Sequence, residues 1–237
     1  MQAIVFGASG GLGAELVARL SERPEIRRVH AISRSGPAAT GKVTPHAVDI
    51  TVESDLARLS DTLRNEDDIR LVIIATGILS DGNALQPEKS YRQQSLQAFE
   101  RVFRVNTFGP ALVARYFLPL MPRSGRAVFT ALSARVGSIG DNRLGGWHAY
   151  RASKAALNML LRNYAIEQAR LNSDFIVAGL HPGTVDTRLS KPFQGNLPDG
   201  QLFTPPNAVS HLLRVIYGLT PADTGKCFDW AGKEIPA

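Results

Sequence analysis

The chain has almost no cysteine. Cys227 stands alone in 237 residues, which excludes an intramolecular disulfide and fits a reducing cytoplasm. Long apolar runs are also missing: the longest weakly polar stretch, Leu71 to Leu79, is far too short to cross a bilayer. No basic leader precedes the first apolar run, Ala3 to Phe6, so no secretory signal is expected. His, Cys and Asp nowhere fall at metal-ligand spacing, and no internal repeat or low-complexity tract is visible. A compact basic tract is absent too. Net charge is +6 and the sequence pI about 9.8, yet Arg19, Arg27, Arg58, Arg92, Arg115 and Arg162 are scattered. That distribution suits a solvated surface with a few phosphate contacts and speaks against nucleic acid as a partner. What remains is ordinary: 44% apolar and 20% charged residues, in a length that suits one domain with a sizeable core.

Read in order, the chain alternates strands and helices. Gln2 to Phe6 is an apolar strand and Leu12 to Leu20 a helix, with Gly7-Ala8-Ser9-Gly10-Gly11-Leu12-Gly13 between them. A strand, a glycine turn and a helix form the phosphate-binding device of dinucleotide folds: glycine lets backbone approach a pyrophosphate, whose charge faces the helix N-terminus. The spacing here is Gly-x-x-x-Gly-x-Gly. A second strand, Val29 to Ser33, ends in Ser33-Arg34-Ser35. In such folds this end reaches the adenosine ribose. No acidic residue stands there to accept from a free 2′-hydroxyl, and Arg34 suits a 2′-phosphate, so NADP(H) is expected over NAD(H). The nine residues from Arg34 to Lys42 are too few for a helical crossover and predict a loop.

Val43 to Val48 is a third strand, placed at an edge by Pro45. Asp49-Ile50 follows, and Thr51 or Ser54 is the expected cap of a helix running to Leu63. Leu71 to Thr76, ending at Gly77, has the pattern of a buried parallel strand. Helices are predicted over Tyr91 to Phe103 and Thr107 to Leu120, meeting around Asn106. Arg126 to Leu132 and Phe175 to Leu180 are further strands, delivering Ser133 and His181-Pro182-Gly183-Thr184. Pro205 to Tyr217 is helical, and Cys227 to Trp230 is a last short strand. The expectation is a single α/β domain, a doubly wound parallel sheet of Rossmann type, with its ligand beyond the carboxyl ends of the strands.

Tyr150 and Lys154 head a long amphipathic segment, Ala149 to Leu171. Positions i and i+4 share a helix face. A cation beside a phenol lowers its pKa from about 10 toward working pH, as general acid–base chemistry needs.

Together these residues resemble the short-chain dehydrogenase/reductase family over essentially the whole chain. The narrower likeness is to the C-factor and sniffer group of carbonyl reductases, carried by Ser138-Ile139, Asp141-Asn142 and Gly145-Gly146-Trp147 ahead of Tyr150-Arg151-Ala152-Ser153-Lys154. The resemblance implies an NADP(H)-dependent oxidoreductase acting on a ketone, an aldehyde or the matching alcohol. Tyr150 would exchange the proton with the substrate oxygen, Lys154 would hold the nicotinamide ribose, and Asn106 would hold a water that relays protons to Lys154. Gly7, Ser9, Gly11, Leu12 and Gly13 would cradle the pyrophosphate; Arg34, Asp49 and Ile50 would meet the adenosine end; Thr76 and Gly77 would border the cofactor; and Pro182, Gly183, Val185 and Thr187 would pass beside the nicotinamide. Arg188 to Phe203, with Lys191, Pro192, Phe193, Gly195, Leu197, Pro198 and Leu202, would form a short substrate lid. Family members often pair through the helices carrying Asn106 and Tyr150, so the resemblance allows a homodimer or homotetramer, with the extra residues between Ser133 and Tyr150 able to change that surface.

Two features depart from the family. Ile74-Ala75-Thr76-Gly77 replaces its usual paired asparagines. Its serine position, three residues before a glycine, falls on Ala134 before Gly137, with Ser133 one residue early and Ser138 one residue past that glycine. Ser133 is the preferred carbonyl-binding hydroxyl because it sits at the strand end; Ser138, 12 residues before Tyr150, is the alternative. A one-residue step along a regular strand reverses the face. His148 and His181 are read as structural or substrate-lining. A cofactor-binding regulator that senses NADP(H) and signals through a partner is the reading from another class.

Overall fold

A computed structural model describes residues 1–36, 39–82, 84–195 and 200–237. The chain begins in the middle of its sheet. Strand β1 (Gln2–Phe6) leads through helix α1 (Gly11–Ser21) to β2 (Arg28–Ser33) and the edge strand β3 (Val43–Ala47). Helix α2 (Glu53–Leu63) carries the chain back to β4 (Ile69–Ile74), which pairs with the other side of β1. Helices α3 (Leu96–Phe103) and α4 (Gly109–Phe117) then precede β5 (Ala127–Leu132), and the long α5 (His148–Ala169) precedes β6 (Phe175–His181). Two short strands follow, β7 (Thr184–Val185) and β8 (Leu202–Phe203), before α6 (Pro205–Gly218), β9 (Lys226–Asp229) and β10 (Glu234–Ile235).

The large sheet has the order β3-β2-β1-β4-β5-β6-β9-β10. All its pairs are parallel except β10 with β9. Between β1 and β4 the winding reverses, so the connections leaving these strands diverge and open a crevice at their carboxyl ends.

Side chains alternate between the two faces. Ala3 and Val5 join Leu16, Leu20, Leu212 and Ile216 of α1 and α6 in one core layer. Ile4 and Phe6 join Leu56 and Leu59 of α2, Phe117 of α4 and Leu157 of α5 in the other. Phe6 and Phe117 meet edge to face at 4.9 Å between ring centres, a favoured aromatic geometry.

Pro45 sits on the edge strand as expected, where the missing N–H faces no partner strand. Other expectations shift. Neither Thr51 nor Ser54 caps α2: Val52 occupies the N-cap without a side-chain bond, and Thr51, one residue earlier, donates its hydroxyl to Asp49 Oδ1 at 2.8 Å. The helix expected from Tyr91 begins at Leu96. Ser90 captures Tyr91–Gln93 in a separate 3-10 turn, and Ser95 caps α3 through Ala98 N. Asn106 does not lie in a break between helices but in a π-helical turn, Arg104–Phe108, joining α3 to α4. Strands β7, β8 and β10 add to the expected set; each is two residues long, too short for a periodic signal.

Candidate active site at the crevice between β1 and β4

The glycine turn follows β1 directly. Gly7 has φ +85°, and a Cβ there would lie 2.9 Å from the Ala75 carbonyl carbon. A Cβ on Gly13 would fall 2.0 Å from Gly7 O. Only glycine lets α1 sit this close to the turn. Gly11 faces Thr187, whose Cγ2 would be 2.9 Å from an added Cβ, so Thr187 closes over the turn from the β7 side. Ser9, Gly10 and Gly11 are exposed. Gly10, the N-cap, gives α1 no side-chain cap, which leaves its first N–H groups to solvent or a ligand. Leu12 turns inward and packs against the core.

At the neighbouring strand end, Arg34 is exposed, and buried Ser33 Oγ has no hydrogen-bond partner. Asp49 is half-buried and accepts from Thr51 N at 2.9 Å and from the Thr51 hydroxyl. Ile50 is buried, and its Cδ1 would lie 2.6 Å from a Cβ on Gly109. Beyond β4, Thr76 Oγ1 is a second buried hydroxyl without a partner. Gly77 is the meeting point: from its Cβ position Asn106 Oδ1 is 3.7 Å away, Lys154 Nζ 3.8 Å and Leu189 Cδ1 3.8 Å.

Asn106 is fully buried and holds this junction together. Its Oδ1 accepts from Ile78 N at 2.8 Å, while Nδ2 donates to Ile78 O at 2.9 Å and Ser153 Oγ at 3.2 Å. Ser153 Oγ donates to Tyr150 O at 2.7 Å, and the Thr107 hydroxyl donates to Ser153 O at 2.9 Å. The π turn is thereby fastened to the first turns of α5, a place where such bulges often serve function.

Tyr150 and Lys154 are both buried, at 8% and 3% exposure, and Lys154 Nζ lies 5.9 Å from the Tyr150 ring centre. The electrostatics differ from the sequence expectation. Burial pushes the phenol up to about 12 and brings the lysine down to about 8. Loss of hydration disfavours each charged form, and Lys154 Nζ donates to Leu132 O at 2.8 Å instead of pairing with phenolate. At pH 7 the phenol therefore keeps its proton.

The serines separate. Ser133 Oγ donates to Asn158 Oδ1 at 2.6 Å, and Ser138 Oγ accepts from Asp141 N at 3.0 Å. Ala134, between them in sequence, packs in the cluster that contains Tyr150, Ala149, Leu79, Leu85 and Val102. Burial lowers His181 to about 4, so it is neutral at pH 7. Gly183 has φ +76°, and a Cβ there would meet Phe203 at 2.7 Å and Trp230 at 3.1 Å. Pro182 beside it is half-buried and Val185 is buried.

Glu88 and Asn158 were not singled out from sequence, and Trp147, quoted there for the family likeness, was given no role in the site. Trp147 stands in the left-handed region at φ 50°, after Gly145 and Gly146 at φ 63° and 65°; its N–H donates to Glu88 O. Its ring lies 6.3 Å from Tyr150 and 5.2 Å from Phe193. Glu88 is buried, and its Oε2 accepts from Ala149 N at 3.3 Å. Asn158 receives Ser133. The Gly-Gly pair was the legible signal for the turn before Trp147; nothing local marks Glu88 or Asn158.

The expected lid, Arg188 to Phe203, ends in β8, which pairs with β7 just ahead of it: Thr184 lies opposite Leu202 and Val185 opposite Phe203. Leu189 and Phe193 pack against the Tyr150 cluster. Leu197 and Pro198 lie outside the described residues.

Among the described residues no helix is long and apolar enough to cross a membrane. Residues 1–197 match the family model for short chain dehydrogenases. The chain is 37% identical to the C-signal protein of Myxococcus xanthus over 136 residues, 57% of this chain and 76% of that relative. Its fold superimposes on NADPH-bound carbonyl reductase from chicken fatty liver with a TM-score of 0.85 at 24% identity, covering 100% of this chain and 98% of that one. It also superimposes on carbonyl reductase Sniffer of D. melanogaster with a TM-score of 0.84 at 19% identity, covering 100% and 99%. With a glycine cradle under the first crossover, a buried Tyr150–Lys154 pair and a family match over most of its length, this chain belongs to the short chain dehydrogenase family.

Proposed function

We propose that the protein is an NADP(H)-dependent carbonyl reductase. It would transfer a hydride between nicotinamide and a ketone or aldehyde, or run the reverse oxidation of the alcohol. One observation carries the reading: Tyr150 and Lys154, buried on one face of α5, border the same crevice as the glycine turn, through Gly77 and Asn106. The residues present fit the cofactor. Ser33 Oγ and Thr76 Oγ1 are orphaned hydroxyls at the two strand ends flanking β1, and a buried unpaired hydroxyl costs about 1–3 kcal/mol. A ligand with polar groups along this path would satisfy both. Exposed Arg34 supports a 2′-phosphate, and Gly7, Gly11 and Gly13 leave room for backbone to approach a pyrophosphate.

The bound cofactor supplies the hydride. Tyr150 gives its proton to the substrate oxygen, and a phenol held protonated by burial suits the reducing direction. Lys154, an ammonium on the same wall, lowers the cost of the phenolate left behind. Asn106 fixes the α3–α5 junction and, in the family's role, the water that returns a proton. Leu189 and Phe193 close the pocket from the lid, residues 188–203. Exposed Phe108, Met159 and Ile166 support pairing of copies through these helices. Purified protein with NADPH and a panel of carbonyls, followed by loss of nicotinamide absorbance, tests the proposal. Tight NADPH binding with no turnover of any substrate would favour the second reading, an NADP(H)-dependent signalling protein, which the C-signal relative brings into view.

A further inference from the structure

Helix α5 has no cap of its own. Trp147, at the N-cap, lies in the left-handed region and offers no side-chain bond to the first turn, although the first N–H groups of a helix need acceptors from outside its ladder. A serine or aspartate in extended backbone is the ordinary answer. Here the acceptor lies 61 residues away in sequence: Glu88 Oε2 accepts from Ala149 N at 3.3 Å, the bond an N-cap side chain would make to the second helical residue. Glu88 also holds the turn ahead of the helix. Its carbonyl accepts from Trp147 N, and a Cβ on Gly146 would come within 3.3 Å of that oxygen. From the other side Arg151 Nε donates to Gly145 O and Gly146 O, each at 3.0 Å.

This is a costly way to start a helix. Glu88 is 4% exposed, and its Oε1 has no partner, so a buried carboxyl group is left half satisfied. Trp147 is a bulky residue in a backbone region that such residues avoid. Strain of this kind persists where the surroundings over-determine it, and it gathers at working sites. The segment bearing Glu88 is itself fixed: Leu85 packs in the Tyr150 cluster, and Lys89 N donates to Gln93 Oε1 at 2.8 Å. What the hold places is the residue after Ala149. Tyr150 is tied on its far side through Ser153 Oγ and Asn106; on the near side the tie is Glu88. The same turn sets the Trp147 ring between Tyr150, at 6.3 Å, and Phe193 of the lid, at 5.2 Å.

We infer that Glu88 is a positioning residue for the proton transfer: it caps α5 from outside the helix, and so fixes the Tyr150 phenol relative to Lys154 and the Trp147 ring against the lid. The inference rests on the oxidoreductase reading above and adds a residue to that same site. Reach is what the role requires, since an oxygen must arrive at Ala149 N. Without it the first turn of α5, which carries Tyr150, is free to fray. Lys154 stays in place one turn further in, with Nζ on Leu132 O. Misplacing one reacting group by about 1 Å costs about 10²-fold in rate. The glycine turn after β1 belongs to a different element and keeps its shape, so cofactor binding is spared.

The test measures kcat, NADPH Kd and Tm for three variants, using the best substrate of the carbonyl panel at a temperature well below each Tm. Glu88→Asp keeps the acid and loses the reach; kcat is expected to fall about 10- to 100-fold with NADPH Kd within about threefold. Glu88→Gln keeps an oxygen at full reach and is the conservative rescue, with kcat expected to return to within about threefold of wild type. Gly146→Ala leaves Glu88 intact and presses on its carbonyl from the turn, and is expected to lower kcat about tenfold by the same route. A wild-type kcat in Glu88→Asp, whatever its Tm, would mean that Glu88 serves stability alone; it overturns the inference and leaves the reductase reading standing. So does a loss in Glu88→Gln as large as that in Glu88→Asp. Should Glu88→Asp not fold, Gly146→Ala decides, and a wild-type kcat there overturns the inference. Turnover of no carbonyl by wild type with NADPH overturns the oxidoreductase reading, and the inference with it.

Discussion

Two clusters of ionisable side chains among the described residues, each with buried members, are built in opposite ways. One spans strands β1, β2 and β3. His30 Nε2 donates to Gln2 Oε1 at 2.9 Å, and His30 Nδ1 accepts from His46 Nε2 at 3.1 Å. Gln2 Nε2 in turn donates to Glu66 Oε2 and Asp67 O, both at 2.8 Å. The acceptor at Gln2 fixes the His30 tautomer, and every ring nitrogen of His30 is used. The other cluster is Tyr150, Lys154 and Asn106 at the carboxyl ends of the strands. There the crevice keeps Ser33 Oγ and Thr76 Oγ1 without partners. Burial alone does not mark function, since both clusters are buried and both have displaced pKa values. Unmet hydrogen bonds beside a backbone cradle are what distinguish the proposed site.

The comparison predicts that changes at the open site act chiefly on ligand handling, while changes at the closed cluster act on stability. Within the cofactor cradle the largest effect is expected from Gly13→Ala. Its Cβ would lie 2.0 Å from Gly7 O, so the turn must move, and kcat/KM with NADPH should fall about 10²-fold or more. An unchanged NADPH titration would break the cradle argument. Arg34→Ala should weaken NADPH by roughly 1.5–3 kcal/mol, about 10- to 150-fold, with NADH nearly unaffected. Parallel loss for both cofactors would remove Arg34 from the phosphate.

The smallest effect belongs to the closed cluster. His30 is held down to about 4, chiefly by burial and then by His46. Its folded value lies below its unfolded one, so the unfolded chain takes up the proton first. Stability is therefore lost as pH falls from about 6.5 to about 4. Protonating Nδ1 would also set its N–H against that of His46. Thermal melts across that window should show Tm falling by about 5 °C, and His30→Leu should flatten the slope whatever its absolute Tm. Reductase activity measured at pH 7 should survive that change within about threefold, since the cluster touches no crevice residue.

Much of the frame could be read from the sequence because it is local. The apolar run before Gly7, the proline of β3 and the four-residue step from Tyr150 to Lys154 each carry their meaning within a few residues. The expectation of NADP(H) rests on the same kind of local signal, the missing acid beside Arg34. What escaped depends on contacts distant in sequence. The π turn at Asn106 is pinned by Ile78, 28 residues away, and no local pattern announces it. The direction of Ser133 is set by Asn158, one helical turn past Lys154. The expected lowering of the Tyr150 pKa assumed a neighbouring ammonium would dominate; the fold buried both groups and gave Lys154 a carbonyl instead. Glu88, buried under the first turn of α5, looked in the sequence like any loop acid.

The central claim is that the Tyr150 hydroxyl passes a proton in a crevice occupied by nicotinamide. Tyr150→Phe removes one oxygen and little volume, so NADPH affinity and turnover with a carbonyl substrate can be measured on the same preparation. The account predicts that kcat falls about 10²- to 10⁴-fold while the NADPH Kd stays within about threefold. A variant that turns over at the wild-type rate would contradict it.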